Sequence, residues 1–133
     1  MTSHICFEAL DPKKPATFSS LILNNLLRDE LGFGGVVVSD SMNMHSLQKN
    51  YDSVDAAVEA LCSGVDLIML AEEHYDHDSQ YQVRQKRLIE GVQKGFRDGK
   101  IPENRIVDAI SRVRSLKGKI KNVENPSFED STW

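Results

Sequence analysis

The stretch Gly34-Gly35-Val36-Val37-Val38-Ser39-Asp40-Ser41-Met42-Asn43-Met44 limits what this 133-residue chain can fold into more than any other. Three consecutive valines read as a short strand, Val36–Ser39, buried on both faces as in a parallel sheet. The run stops at a carboxylate with no turn residue between. Parallel α/β folds carry their active sites just beyond the carboxyl ends of such strands. On spacing alone, Asp40 is equally readable as a site residue or as a helix cap or ion-pair partner.

The rest of the chain alternates strand and helix. His4-Ile5-Cys6-Phe7 resembles the end of a strand, and Asp11-Pro12-Lys13-Lys14-Pro15 a turn-rich loop. Ser19 can cap a helix with Ile22, Leu23, Leu26, Leu27 and Leu31 on one face, stopped by Gly32. Asp52 or Ser53 can cap a second helix running to Cys62, with Val54, Ala57, Val58 and Leu61 inward and Ser63-Gly64 as its stop. Asp66–Leu70 is a third strand. A polar loop from Ala71 to Asp78 leads to a helix striped by Leu88, Ile89, Val92 and Phe96, which ends at Asp98-Gly99. Pro102 suits the first turn of a last helix, striped by Ile106, Ile110, Val113, Leu116 and Ile120. Asn122 to Trp133 has no period and reads as loop.

Strand–helix alternation of this kind marks an α/β fold with parallel strands, about three βα units of it. Three strands leave two open edges, so a larger (β/α) domain is expected. Net charge is −4, with no basic stripe to neutralise phosphates, which argues against a nucleic-acid partner. No apolar run reaches the roughly 18–20 residues that cross a bilayer, and Met1-Thr2-Ser3-His4 lacks the features of a secretory leader, so no membrane partner is expected. Cys6 and Cys62 are too few for a disulfide framework and read as buried free thiols, which points to a reducing, cytoplasmic location. His74-Tyr75-Asp76-His77-Asp78 offers two histidines three apart, but no further ligand set on a rigid element. It reads as a solvated loop, and no metal or organic cofactor is expected. Lys117, Lys119 and Lys121 suit the last turns of a helix, where cations favour the dipole. Asp66 precedes its strand, so it belongs to the opposite end of the sheet from Asp40 and reads as structural.

Met1-Thr2-Ser3-His4-Ile5, Asp11-Pro12, Pro15-Ala16-Thr17-Phe18-Ser19 and the long run from Leu26 to Met44 together closely resemble glycoside hydrolase family 3, in particular its β-N-acetylhexosaminidase branch. Ala57-Val58, Ala60-Leu61, Gly64-Val65-Asp66-Leu67 and Arg105–Val113 fit as well. The resemblance implies that residues 1–121 form the C-terminal part of a TIM-like (β/α) barrel glycosidase domain, strands six to eight, followed by an irregular tail over 122–133. It implies retaining hydrolysis of terminal β-linked N-acetylglucosamine, with Asp40 as catalytic nucleophile and Met1, His4 and Met44 lining the sugar site. Ser41 stands where the family's β-glucosidases usually have Trp, which favours a hexosaminidase. The branch's acid/base, a His paired with an Asp, lies on a loop that precedes this region, as do its sugar-gripping Lys-His and Arg positions. The alternative is a non-catalytic descendant, an interaction module that pairs through open sheet edges. Self-association through those edges is expected of the chain by itself.

Overall fold

The computed structural model describes residues 1–44, 47, 49–71 and 81–121. In chain order the elements are β1 (Cys6–Phe7), β2 (Asp11–Pro15), a single 3₁₀ turn (Ala16–Phe18), α1 (Leu21–Glu30), β3 (Val38–Ser41), α2 (Ser53–Ser63), β4 (Leu67–Met69), α3 (Tyr81–Arg97) and α4 (Glu103–Lys121). β3 and β4 are parallel, with Val38 opposite Leu67 and Ser41 opposite Met69. The first residues run along the other side of β3, where the Thr2 N–H donates to the Val38 carbonyl at 2.8 Å. Three strand–helix units result: the N-terminal segment with α1, β3 with α2, and β4 with α3. The fold class is α/β, a part of a (β/α) barrel.

Several boundaries differ from the sequence expectation. Asp11–Pro15 is not a loop but β2, paired antiparallel with β1 through an irregular register. Its prolines sit on an exposed two-stranded edge, where a missing N–H costs no ladder bond. The stretch His4–Phe7 therefore does not lie beside β3 as one strand; its second half turns away into this hairpin. β3 begins two residues later than Val36, so Asp40 lies within the strand rather than past its end. The two thiols are exposed, not buried. Cys6 is in the hairpin, and Cys62 is on the outer face of α2, where its S–H donates to the Lys100 carbonyl at 3.3 Å. Apolar neighbours in sequence did not translate into apolar neighbours in space.

The caps follow the chemistry of their residues. The Asp52 carboxylate accepts the Val54 N–H at 2.9 Å and starts α2. Gly64 ends it at φ 124°, a backbone angle that side chains rarely adopt. The Ser19 hydroxyl accepts the Ile22 N–H at the entry to α1. α1 itself is wound as a π-helix, and the Leu31 N–H reaches back five residues to Leu26.

The core lies between the sheet and α2. It comprises Phe18, Leu23, Val37, Met42, Leu47, Ala56, Ala57, Ala60, Val65 and Leu88. Three alanines give α2 a flat inner face, so the helix seats close to the strands. α3 crosses α2 at Gly91, where even a methyl group would overlap the Val54 side chain. By contrast the apolar stripe of α4 is largely uncovered: Ala109 is buried, whereas Ile110, Leu116 and Ile120 are exposed. Among the described residues no helix is long and apolar enough to cross a membrane.

One charge cluster joins the layers. The buried Asp66 carboxylate accepts from Arg28 at 2.7 Å, Arg105 at 2.7 Å, Arg112 at 3.1 Å and the Val37 N–H at 2.9 Å. Arg28 also donates to the carbonyls of Phe33 and Gly35, and Arg105 to those of Leu61 and Val65. Asp66 is thus the structural residue that its place before the strand predicts. Replacing it leaves buried guanidinium groups without their counter-charge, which costs about 3–5 kcal/mol. Asp66→Ala should shift the urea midpoint down accordingly; a midpoint within error of the parent would refute the role.

A second prediction concerns acid. The hydrogen bond from the Ser19 hydroxyl, followed by that from the Lys13 N–H, holds the Asp11 carboxyl below its ordinary value of 3.8. A group depressed in the folded state stabilises above its unfolded pKa, and that contribution disappears as pH falls through the lowered folded value. Thermal stability should therefore fall less steeply below pH 3.8 in Asp11→Asn than in the parent. Parallel acid limbs in the two melting series would contradict this.

Candidate functional site

The carboxyl end of β3 carries Ser39, Asp40 and Ser41. Side chains alternate along a strand, so the two serines share one face and Asp40 takes the other. Both serines are buried. The β3–β4 register shifts between Val38 and Ser41, where three steps on β3 oppose two on β4. Such a bulge leaves ladder groups unpaired and re-aims the intervening side chain. Here hydroxyls take over the pairing. The Met69 N–H donates to Ser39 Oγ at 2.9 Å. Ser41 Oγ donates to the Ala71 carbonyl at 2.6 Å and accepts the N–H groups of Ala71 at 3.0 Å and Asn43 at 3.2 Å.

Asp40 is half-buried, and its Oδ1 accepts the Ser41 N–H at 2.8 Å. His4 approaches from the N-terminal segment: its Nε2 lies 3.0 Å from the Ser41 carbonyl oxygen. A carbonyl can only accept, so Nε2 donates to it. The other ring nitrogen, Nδ1, is buried without a hydrogen-bond partner among the described residues. The ring packs against Phe18, centroids 6.1 Å apart, and Phe18 in turn against Tyr51 at 5.0 Å. Met44 is half-buried in the turn after β3, where its N–H bonds the same Ser41 carbonyl at 3.3 Å.

The structure thus gathers His4, Asp40 and Met44 around one residue, Ser41. Met1 is elsewhere: it is 81% exposed and lines an apolar cleft beside α1 that none of those three residues enters. His74 and His77, and the loop that holds them, lie outside the described residues. Among the described residues no group of three His, Cys, Asp or Glu is placed to hold a metal ion.

Sequence reasoning missed the serines and a polar hollow of about 430 Å³ lined by Asn43, Asn50, Tyr51, Asp52, Ser53, Arg84 and Arg87. A signal for the serines was present: hydroxyls on either side of an acid in a strand fall together on the face opposite to it. The hollow had none, because its walls come from α2, α3 and the turn between β3 and α2. Chemically, the site offers a carboxylate on a rigid strand end, held by its own backbone and by bonds to the next strand.

Ser41→Ala removes both part-buried bonds to Ala71, at about 0.5–1.5 kcal/mol for each bond. Amide exchange at Ala71 should accelerate while exchange at Leu67, whose N–H donates to the Val37 carbonyl, stays slow. Equal acceleration at both positions would show that Ser41 has no local role.

Comparison with known proteins points to one family. A β-hexosaminidase A of Pseudoalteromonas piscicida is 29% identical over a 133-residue alignment that covers 90% of this chain and 22% of that protein. A β-hexosaminidase of Thioalkalivibrio sulfidiphilus is 41% identical over 70 residues, 53% of this chain and 20% of that protein. Among solved structures, a glycoside hydrolase family 3 β-N-acetylglucosaminidase from Paenibacillus sp. str. FPU-7 superposes with a TM-score of 0.79 at 33% identity, over 98% of this chain and 24% of its own. The chain therefore spans about a fifth of the length of the curated relatives that it matches. Residues 1–116 match the glycosyl hydrolase family 3 N-terminal domain, and the chain belongs to that family.

Proposed function

We propose that these strand–helix units serve, within a family 3 barrel, the retaining hydrolysis of terminal β-linked N-acetylglucosamine, with Asp40 as the nucleophile. The observation that carries the reading is the placement of Asp40: a half-buried carboxylate at the carboxyl end of a parallel strand, in a bulge whose pairing is completed by Ser39 and Ser41. The names of the relatives supply the substrate class: two β-hexosaminidases and a β-N-acetylglucosaminidase.

The chemistry needs an ionised carboxylate beneath the anomeric carbon and a proton donor about 5–5.5 Å from it. With Oδ1 engaged by the Ser41 N–H, Oδ2 is the oxygen that attacks. The bond from Oδ2 to the anomeric carbon forms as the bond to the leaving oxygen breaks, and the acid protonates that oxygen. Water then cleaves the glycosyl ester with the first configuration restored. His4 supports the nucleophile through the Ser41 carbonyl, and Met44 packs beneath the sugar. Met1, which the family's Met-x-x-His segment assigns to the sugar site, lines the cleft beside α1 instead, and this reading gives it no part in the chemistry. The acid is contributed by residues outside these units, where the family resemblance places its His–Asp pair.

In a complete barrel that carries these residues, Asp40→Ala should lower kcat on the order of 10⁴–10⁶-fold, as loss of a covalent nucleophile does. A kcat near the parent value would sink the assignment. The 133 residues by themselves should leave an N-acetylglucosamine disaccharide intact, since general-acid help is typically worth about 10²–10⁴-fold. Turnover that vanishes in Asp40→Asn would mean that a histidine of this chain serves as the acid.

A further inference from the structure

We infer that the polar hollow between α2 and α3 binds a sugar that carries an oxyanion, a carboxylate or a sulfate ester, and that this sugar is the one joined to the N-acetylglucosamine in the substrate. The placement beside the scissile bond rests on the reaction proposed above; the hollow's own affinity does not. Its volume is about 430 Å³. Small-molecule sites occupy roughly 300–1,000 Å³. The walls come from α2, α3 and the turn after β3, so the hollow lies between two units of this chain and not at an edge of the sheet. Asn43, Asn50 and Tyr51 supply amide and phenol groups, which can donate to and accept from the hydroxyls of a sugar ring. The charged groups are Arg84, Arg87 and Asp52. Two cations thus face one anion, in a chain whose net charge is −4. Arg84 and Arg87 stand three apart on α3 and share a face of it. A guanidinium holds an oxyanion through parallel N–H donors, and Arg87 already takes one: its Nη2 donates to Asp52 Oδ2 at 2.6 Å. Nη1 and Nε of the same fork are left to donate elsewhere.

The hollow is tied to the strand end that carries Asp40. Asn43 stands three residues beyond Asp40, and three residues span at most about 10–11 Å. Its N–H donates to Ser41 Oγ at 3.2 Å. From the other wall, Tyr51 packs on Phe18 with ring centroids 5.0 Å apart, and Phe18 on His4, whose Nε2 donates to the Ser41 carbonyl. Two walls of the hollow therefore lead to the residue next to Asp40. The amino ends of α2 and α3 follow the carboxyl ends of the parallel strands β3 and β4, so the hollow opens on the same side of the sheet as Asp40. A sugar joined to the one above Asp40 is within reach of it.

The test is a titration of the 133-residue chain, followed by NMR of its backbone amides. Methyl β-glucuronide and glucose 6-sulfate should shift Asn43, Asn50 and Tyr51 and bind about tenfold or more tightly than neutral methyl β-glucoside. The tighter of the two names the oxyanion. Arg87→Gln should weaken both roughly three- to tenfold, as loss of a charge-assisted bond at a half-exposed site does. Asp52→Asn should strengthen both by a similar factor, because it removes the competing carboxylate while Asn still caps α2. The two substitutions break the same ion pair, so a pair that only held α2 to α3 would make them act in one direction. Lys94→Gln, on α3 but outside the hollow, should change nothing. A disaccharide of N-acetylglucosamine β-linked to glucuronic acid should shift the hollow and Ser39–Ser41 together. Equal affinity for the neutral glucoside, sulfate ion binding as tightly as glucose 6-sulfate, losses in both Arg87→Gln and Asp52→Asn, or disaccharide shifts confined to the hollow would each overturn the inference. Affinity for methyl β-glucuronide does not involve Asp40, so it survives a failure of the nucleophile assignment, and its absence leaves that assignment untouched.

Discussion

Everything above the base of the sheet depends on where Asp66 sits. Its carboxylate has no exposed surface, and three guanidinium groups and a backbone N–H converge on it. Burying a charge is costly unless it is paired and hydrogen-bonded, so this arrangement forms only when all its contributors are in place. Arg28 comes from α1, Arg105 and Arg112 from α4, and the N–H from the residue before β3. One carboxylate thereby sets the relative height of two helices and two strands. The arginines also donate to the Phe33 and Gly35 carbonyls of the connection between α1 and β3, and to the Leu61 carbonyl in the last turn of α2.

The opposite end of the sheet is held differently. There the backbone ladder is interrupted, and serine hydroxyls make the bonds that amides make elsewhere. A bulge is a recurrent device for aiming a side chain. Here the device and the residue that it aims are adjacent in sequence, within Ser39-Asp40-Ser41. His4 ties the N-terminal segment to the same point through the Ser41 carbonyl, so three chain segments meet there.

Much of this was legible in the sequence. The valine run gave the central strand, Asp52 and Gly64 bounded α2 by their capping chemistry, and the position of Asp66 before its strand gave its structural role. The placement of Asp40 at the carboxyl end followed from the same pattern. What was not legible depended on which surfaces meet. Asp11–Pro15 looks like a loop because its prolines and lysines are edge residues, and an edge carries no alternation. The thiols look buried because each sits in locally apolar sequence, whereas helix phase puts Cys62 on the outer side of α2. The stripe on α4 is plain in the sequence, yet most of it is uncovered, since a pattern names a face and not what packs on it.

The contrast between the two ends of the sheet has a consequence for how such a site can change. The base is locked by charges that must move together, and any single loss there propagates through every layer. The upper end is fastened by neutral, short side chains, each replaceable with a modest local cost. Substitutions that shift the carboxylate by fractions of an ångström can therefore accumulate at Ser39 and Ser41 while the frame beneath remains fixed. The lower half is thus a fixed chassis and the upper an adjustable mount.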